Sequence, residues 1–304
     1  MKKVFECVFM VSLMSGAVLH FAKAQNADDP ERHWFNYGAR ASAFAGAYTT
    51  QTQDVSSMYW NPASLSFLER NAVLWDYFQE PHGRMKSELL AVPLPFGEEN
   101  AAGLGINATQ ILMDDGFGIE HTSALYGFDF ASAAALTSTF SVGIKGTVQY
   151  GQLQKQQLWT ASSAIGILYA PGPDVSYGLV YSGFGEAIQY SLDHEDLVLR
   201  HQATPHNLQL GLAMQFPSSK VERAVTIALA NDKTFGKTGL RYNGAIEWSA
   251  THFLDLRIGY VVAPAYAGAK YGIGIHTDGI QLDYAISPSA LTDQFQEVTM
   301  SVLM

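Results

Sequence analysis

The residues from Asn207 to Phe216 alternate between large apolar side chains and small or polar ones, and this alternation constrains the fold more than any other feature. One set of alternate positions carries Leu208, Leu210, Leu212, Met214 and Phe216. The positions between them carry Gln209, Gly211, Ala213 and Gln215. Successive side chains of an extended chain point to opposite faces, so a repeat of two predicts a β-strand with one apolar face.

The same alternation recurs along most of the chain. The runs lie near residues 71–79, 87–95, 101–112, 120–130, 140–152, 159–170, 175–184, 206–217, 223–232, 240–250, 253–263, 269–277, 280–287 and 296–304. Asp278-Gly279 separates two neighbouring runs, as a tight hairpin requires. Bacterial barrels have an even number of strands, so the pattern predicts about 14 strands, with 12 to 14 as the accepted range.

Composition indicates a membrane environment. The chain is 48% hydrophobic but only 15% charged, and a soluble domain carries roughly 25% charged residues. After the N-terminal segment no apolar stretch reaches the roughly 18 residues that a membrane-spanning helix needs. A formal net charge of -10 disfavours nucleic-acid binding. The sequence therefore predicts an all-β protein, a transmembrane antiparallel β-barrel that contacts the lipid of a bacterial outer membrane.

A soluble β-sandwich or propeller also alternates and is the main structural alternative. Its outer face would be rich in charged residues and threonine, whereas the polar faces of these runs are dominated by glycine, alanine, serine and glutamine. Aromatic residues near the ends of the runs resemble the interfacial girdles of membrane barrels, namely Tyr150, Trp159, Tyr169, Trp248, Tyr260 and Tyr284. These two features favour the barrel.

The N-terminus has the pattern of a secretory signal peptide. Lys2 and Lys3 precede an apolar run from 4 to 21, and Ala22 and Ala24 provide the small residues of a cleavage site. A retained anchor is the alternative. Residues 1–24 are therefore predicted to be removed, and Cys7, the one cysteine of the chain, is removed with them. The mature chain is then expected to use neither disulfides nor thiol chemistry.

Between the signal peptide and the barrel, predicted to cover residues 71–304, lies a segment of a different kind. Residues 25–70 form an N-terminal extension, and the alternation is absent from 37 to 70. Small residues dominate from Gly38 to Ala47, and Asn61-Pro62 is a turn signal. Asp54 or Ser56 can cap a short helical turn. A short plug that packs inside a barrel needs such residues, so this segment is predicted to be a hatch in the lumen.

The sequence of this segment, "G-A-R-A…G-A…D-x-S-x-x-Y-W-N-P-A-x-L", resembles the N-terminal signature of the FadL-like outer-membrane superfamily, and is closest to its PorV/PorQ branch. The resemblance implies a barrel of about 14 strands with a hatch. It also implies either transport of hydrophobic small molecules or a role in type IX protein secretion, with secretion-system proteins as partners. The positions that carry the motif are Gly38, Arg40, Gly46, Asp54, Tyr59, Trp60, Asn61, Pro62 and Ala63.

Three hypotheses follow for the site. Arg40 is expected to form an ion pair with Asp54 within the hatch. Phe44, Tyr59 and Trp60 are expected to form an apolar ligand-binding pocket. The charges predicted to face the lumen either form a selectivity path or stabilise the barrel as a network, and these are Lys145, Arg241, Glu247, Asp255, Arg257 and Asp283.

The sequence carries no convincing sign of catalysis, and no enzyme, cofactor or metal is predicted. It contains no nucleophile elbow, phosphate-binding loop or His-Glu-x-x-His motif. His194-Glu195-Asp196, with His201 and His206, matches no closed set of metal ligands and is predicted to lie in a long extracellular loop. The function is therefore expected to be transport of hydrophobic small molecules or an export-associated role, the alternative being a non-transporting secretion scaffold that binds cargo.

Overall fold

The fold is described from a computed structural model of the chain. It describes residues 37–52, 54–80, 83–97, 99–114, 120–153, 156–193, 196–203, 206–216, 225–264, 267–287 and 295–304. The predicted signal peptide and residues 25–36 lie outside this set, so the predicted cleavage remains a prediction.

Strands make up most of the described chain, because the alternating runs extend and pair. They are β1 Ala72–Gln79, β2 Met85–Phe96, β3 Asn100–Asp114, β4 Glu120–Thr137, β5 Phe140–Leu153, β6 Gln156–Gly172, β7 Val175–Asp193, β8 Asp196–Ala203, β9 Asn207–Phe216, β10 Val225–Thr234, β11 Arg241–Thr251, β12 Leu254–Val262, β13 Ala267–His276, β14 Ile280–Ser287 and β15 Phe295–Leu303. Within the described residues, three short helices precede them, α1 Ala39–Ala43, α2 Ser57–Trp60 and the 3₁₀ helix η1 Pro62–Phe67. Among the described residues, no helix is both long and apolar enough to cross a membrane.

The strands close into a barrel of antiparallel neighbours. The first strand, β1, pairs with the last, β15, in a register that sets Ala72 opposite Leu303 and Gln79 opposite Gln296. The sheet also pairs β6 with β7, so the circle is complete. Fourteen strands of the described chain form the wall, because β8 continues β9 and is not a separate member of the circle. The predicted antiparallel barrel of about 14 strands is therefore confirmed.

The relation of β8 to β9 corrects one expectation. Ser182 of β7 pairs with Asn207 of β9, and Glu186 of β7 pairs with Ala203 of β8, so both strands follow one register along β7. The prediction of a long extracellular loop over 194–206 was therefore wrong for residues 196–203, which form a strand. Residues 194, 195, 204 and 205 lie outside the described chain. Backbone pairing along a long hairpin outweighs the polar composition of this stretch.

The alternation places apolar side chains outside the barrel and polar ones inside. In β12, the outward Leu256, Ile258 and Tyr260 are exposed, whereas the inward Asp255 and Arg257 are buried. Aromatic pairs occur on the outer surface at two levels, with Tyr150 beside Trp159 at 4.6 Å and Tyr169 beside Tyr177 at 6.1 Å between ring centroids. The barrel thus carries an apolar outer band with aromatic residues at its borders.

The wall differs in height around the barrel. Strands β3 to β7 have 14 to 19 residues, whereas β10 to β15 have 8 to 11. Ala72, where β1 begins, pairs with Leu303, where β15 ends, and this pair marks one end of the barrel. The extra length lies at the opposite end. One side of that rim therefore rises above the other.

Candidate functional site

Residues 37–68, which we call the hatch, lie inside the barrel. Phe44, Tyr48, Met58 and Leu65 are fully buried within it. The helix α1 contacts β12 to β15, and η1 contacts β2 to β6 on the other side. The segment predicted to be a plug therefore spans the lumen from wall to wall.

Glycines in the wall make room for the hatch. A Cβ atom at Gly143 of β5 would lie 2.5 Å from the backbone nitrogen of Ala63, and one at Gly103 of β3 would lie 2.9 Å from Met58. A Cβ atom at Gly259 of β12 would overlap the carbonyl of Ala43. Glycine in a strand interior commonly marks the close approach of another backbone, which accounts for the glycines of the alternating runs that face the hatch.

The Asn61-Pro62-Ala63 motif builds the turn from α2 into η1. The Asn61 side chain accepts a hydrogen bond from the Ala63 amide at 3.1 Å, so it caps η1, and Pro62 occupies its first turn. The side-chain amide of Asn61 donates to the carbonyls of Thr49 at 2.7 Å and of Ile167 in β6 at 3.0 Å. This side chain therefore joins two parts of the hatch to the wall.

Gly38 and Gly46, the two glycines of the motif, both have positive φ angles, 108° and 86°. At Gly38 a Cβ atom would also lie 2.5 Å from the Ser56 hydroxyl oxygen. A residue with a side chain would thus be strained and crowded at this position.

Arg40 of α1 fastens the hatch to β11. Its Nε and Nη2 atoms donate to the two carboxylate oxygens of Glu247 at 2.9 and 2.7 Å, a bidentate pair. Its Nη1 atom lies 3.3 Å from Asp54, the partner expected from the sequence. Glu247 was predicted as a lumen charge, and the structure makes it the main partner of Arg40.

Arg257 of β12 extends this network along the wall. It is fully buried, and it donates to Glu247 at 2.6 Å, to Asp283 at 2.5 Å and to Asp255 at 3.1 Å. His276 lies 2.8 Å from Asp255. Four of the six predicted lumen charges, Glu247, Asp255, Arg257 and Asp283, therefore meet in one cluster with Arg40, which we call the latch network.

The remaining two predicted lumen charges lie apart from the latch network. Arg241 of β11 donates to Asn243 at 2.9 Å and to the Ala45 carbonyl of the hatch at 3.4 Å, with Asp232 at 3.8 Å. Lys145 of β5 donates to the Tyr59 carbonyl at 3.3 Å and lies 5.2 Å from the centre of the Tyr59 ring. Both cations thus contact the hatch, at opposite sides.

The electrostatics of the hatch keep Arg40 and Asp54 ionised. Burial raises the pKa of Asp54, but the Arg40 guanidinium and the hydrogen bonds from Ser56 outweigh it, so the pKa lies below its ordinary value. Burial lowers the pKa of Arg40, yet the charge of Glu247 raises it above its ordinary value. At neutral pH the pair is therefore a salt bridge between full charges.

The aromatic residues expected to form a ligand pocket lie in the core of the hatch. Phe44, Tyr59 and Trp60 have exposed fractions of 0%, 6% and 8%. Tyr48 lies between Phe44 and Trp60, with ring centroids 5.4 and 6.1 Å away, so these three rings form one cluster. Tyr59 instead packs edge-on against Tyr37 at 5.0 Å. The hatch as seated covers all of these rings.

Sequence reasoning missed a second set of contacts, where the hatch meets the seam between β1 and β15. The Gly38 amide donates to Glu297 at 2.9 Å, and the Ala39 amide donates to the Thr299 hydroxyl at 2.6 Å. That hydroxyl donates in turn to Asp76 of β1. An acidic residue at an inward position between Trp75 and Tyr77 was the signal that could have revealed this site.

A polar cluster in β3 to β5 was also missed. Asp129 accepts hydrogen bonds from Asn107 at 2.8 Å and from the Thr147 hydroxyl at 2.6 Å, and all three side chains are buried.

In the part of the chain that the structure describes, no three histidine, cysteine, aspartate or glutamate residues form a group that could hold a metal ion. The side chains of the hatch and the wall that faces it offer charges, hydrogen-bonding groups and apolar rings for binding.

Comparison with known proteins identifies the architecture. The sequence matches no protein-family model and no curated protein. The structure is similar to the monoaromatic hydrocarbon channel CymD, with a TM-score of 0.63 and 13% identity over 88% of this chain and 98% of that one. It is similar to the Pseudomonas putida toluene transporter TodX, with a TM-score of 0.62 and 12% identity over 92% and 98% of the two chains.

A third similar structure is a Pseudomonas aeruginosa homologue of FadL, with a TM-score of 0.59 and 11% identity over 88% of this chain and 97% of that one. Identities this low relate the proteins by architecture. With its closed barrel of 14 strands, the chain has the fold of the FadL-like outer-membrane barrels.

Proposed function

We propose that this chain is an outer-membrane channel for hydrophobic small molecules, and that the hatch keeps its lumen closed until the solute arrives. The observation that carries the proposal is the seating of residues 37–68 across the lumen of a barrel whose fold is shared with a toluene transporter and a monoaromatic hydrocarbon channel. Neither the sequence nor the described site supports a catalytic role, so the proposed activity is passage.

The outer surface supports a membrane location. On β5 the outward residues run from Phe140 to Tyr150, a span of roughly 33 Å along the strand at about 3.3 Å per residue. Barrel strands tilt by about 40°, which reduces this span to roughly 25 Å, the height of the apolar band of outer-membrane barrels. The exposed Ile144 and Val148 lie within it.

The buried rings support a hydrophobic solute. Phe44, Tyr48, Tyr59 and Trp60 are buried in the seated hatch. Displacement of the hatch would expose them to the lumen, and an apolar solute gains free energy by leaving water for such a surface. The predicted pocket residues are thus proposed to act in an opened state of the hatch.

The experiment is uptake of radiolabelled toluene by Gram-negative host cells that express the chain, compared with cells carrying an empty vector. The proposal predicts faster toluene uptake and unchanged uptake of a sugar of similar size. As a matched pair, Trp60→Ala should reduce toluene uptake, while Trp159→Ala on the outer surface should leave it unchanged. Toluene uptake equal to that of the empty vector, with the protein present in the outer membrane, would overturn the proposal.

A second candidate is the PorV/PorQ-like role, in which the barrel binds secretion cargo or translocon proteins without conducting. The specific observation in its favour is the density of charge contacts between hatch and wall, together with the raised rim of β3 to β7. Crosslinking in the native host would decide it. Recovery of secretion components together with no change in toluene uptake after gene deletion would favour this role over the channel.

A further inference from the structure

Two carboxyl groups meet where the hatch begins. Asp76 of β1 and Glu297 of β15 both point into the lumen, and both have an exposed fraction of 0%. Asp76 is paired with Thr299, so Glu297 lies two residues along the neighbouring strand, diagonally adjacent on the same face. Diagonal neighbours on one face of a strand pair have Cβ atoms roughly 7 Å apart, a separation that the Asp76 and Glu297 side chains can span together.

One oxygen of each carboxyl group is hydrogen-bonded to the start of the hatch, directly for Glu297 and through Thr299 for Asp76. Glu297 Oε1 accepts from the Gly38 amide at 2.9 Å. Asp76 Oδ1 accepts from the Thr299 hydroxyl, which itself accepts from the Ala39 amide at 2.6 Å. The other two oxygens, Asp76 Oδ2 and Glu297 Oε2, are buried and accept no hydrogen bond from the described residues. A buried carboxylate oxygen without a donor is costly, so this pair requires an explanation.

The charges that face the pair do not balance two carboxylates. Lys270 of β13 is the nearby cation, since its ammonium lies 4.6 Å from the centre of the Phe295 ring, and Phe295 lies two residues before Glu297 on the same face of β15. Among the described residues, the other titratable groups near the pair are the phenols of Tyr37 and Tyr59, which are neutral, and Asp129 of β4, which is acidic. Even with Lys270 counted in full, two ionised carboxylates would leave one negative charge uncompensated in a buried site.

We propose that Asp76 and Glu297 share one proton, carried between Asp76 Oδ2 and Glu297 Oε2, and that this proton holds the start of the hatch on the β1–β15 seam. The proton supplies the missing donor and removes the uncompensated charge. Gly38 and Ala39 then bind, through Glu297 and Thr299, a pair whose one remaining negative charge is balanced by Lys270. Loss of the proton at high pH sets two like charges against each other and loosens these first residues. The inference does not depend on which molecule the barrel transports.

Infrared spectroscopy tests the shared proton without relying on any variant. Wild-type protein at neutral pH should give a carboxylic-acid carbonyl band, and labelling aspartate or glutamate with ¹³C should shift it. The band should be absent in Asp76→Asn and in Glu297→Gln, but present in Asp232→Asn, which changes a buried carboxylate near Arg241. Absence of the band in the labelled and unlabelled wild type, or its persistence in both seam variants, would overturn the proposal.

Hydrogen exchange tests the effect on the hatch. After correction for the intrinsic rate, exchange of the amides at 38–44 in the wild type should speed up as the pH rises from about 5 toward 9, by up to ~10-fold per pH unit, because released carboxyl groups lose the proton that the seated pair keeps. Exchange should level off at the pH where the seated pair loses the proton as well. Asp76→Asn places an amide donor toward Glu297 and should keep these amides protected across the range. Asp232→Asn should behave as the wild type does. Exchange in the wild type that is independent of pH, or equally dependent in Asp76→Asn, would contradict the role of the proton.

Discussion

The two halves of the hatch are held in different ways. Its first half, up to Asp54, is fastened to β11–β15 by charges and hydrogen bonds, chiefly Arg40 on Glu247 and Gly38 on Glu297. Its second half, from Ser56 to Leu68, lies against β2–β6 by close packing, with Met58 on Gly103 and Ala63 on Gly143. The difference lies in which contacts dominate. Ion pairs of the Arg40 carboxylate network hold only the first half, whereas the second half combines close packing with a few hydrogen bonds, such as those of Asn61 and Lys145.

This contrast has a mechanical consequence. The second half continues almost directly into β1, which begins at Ala72, so its movement is limited by the chain itself. Buried charged contacts lose most of their stabilisation when one partner is lost, whereas close packing changes with the volume of a side chain. We therefore expect the first half of the hatch to detach from the wall more readily than the second half.

The largest effect should come from removing the centre of the latch network. Arg257→Met leaves Glu247, Asp255 and Asp283 without the guanidinium that joins them, and loss of one partner from a buried pair costs about 3–5 kcal/mol. Urea unfolding in detergent should show this decrease. Arg70→Met, which removes an exposed hydrogen bond to the Asp278 carbonyl, is the control and should change stability by less than about 0.5 kcal/mol.

Arg40→Met should separate the halves of the hatch. It removes the bidentate pair with Glu247, while Glu247 keeps Arg257 and Asp54 keeps Ser56. A loss of about 3 kcal/mol from local stability corresponds to roughly 100-fold faster amide exchange at 39–48. Amides at 63–68 should be nearly unaffected. Equal acceleration in both regions would mean that the hatch moves as one body.

Gly143→Ala should act on the other half. The added methyl group would lie 2.5 Å from the Ala63 nitrogen, and such overpacking costs about 1–3 kcal/mol. Amide exchange at 63–68 should therefore rise more than amide exchange at 39–48. Gly146→Ala is the matched control on the same strand, because a Cβ atom there meets nothing within 4 Å. Similar behaviour of the two variants would contradict the packing role of Gly143.

The smallest effect concerns the pH response of Asp54. Arg40 and Ser56 lower the pKa of Asp54 despite its burial. The stability that ionised Asp54 gives the folded hatch is therefore complete above the pKa of the unfolded chain. It is lost as the pH falls through the lower pKa of the folded chain. In the Asp76→Asn background, exchange at 54–57 should stay constant from about pH 8 to about pH 5 and rise only below about pH 4. A change near neutral pH would show that another group controls this turn.

The sequence predicts the wall well and the contacts of the hatch poorly. Alternation located 14 strands because each strand has one apolar face, but it ended β4 near 130 instead of Thr137, since residues 131–135 are alanine and serine. It missed β8 because polar residues interrupt the pattern there. The small residues and Asn61-Pro62 indicated the plug. The Arg40–Glu247 pair joins residues 207 apart, and the sequence alone does not reveal which strand lies opposite α1.

The most direct test of a hatch that closes the lumen and is released at its charged side is conductance in planar bilayers. The wild type should conduct little, and Arg40→Met should show discrete openings, because only the first half of the hatch has lost its fastening. Gly146→Ala should remain as closed as the wild type. Wild-type openings as large and as frequent as those of Arg40→Met would contradict the account, since the hatch would then not be what closes the barrel.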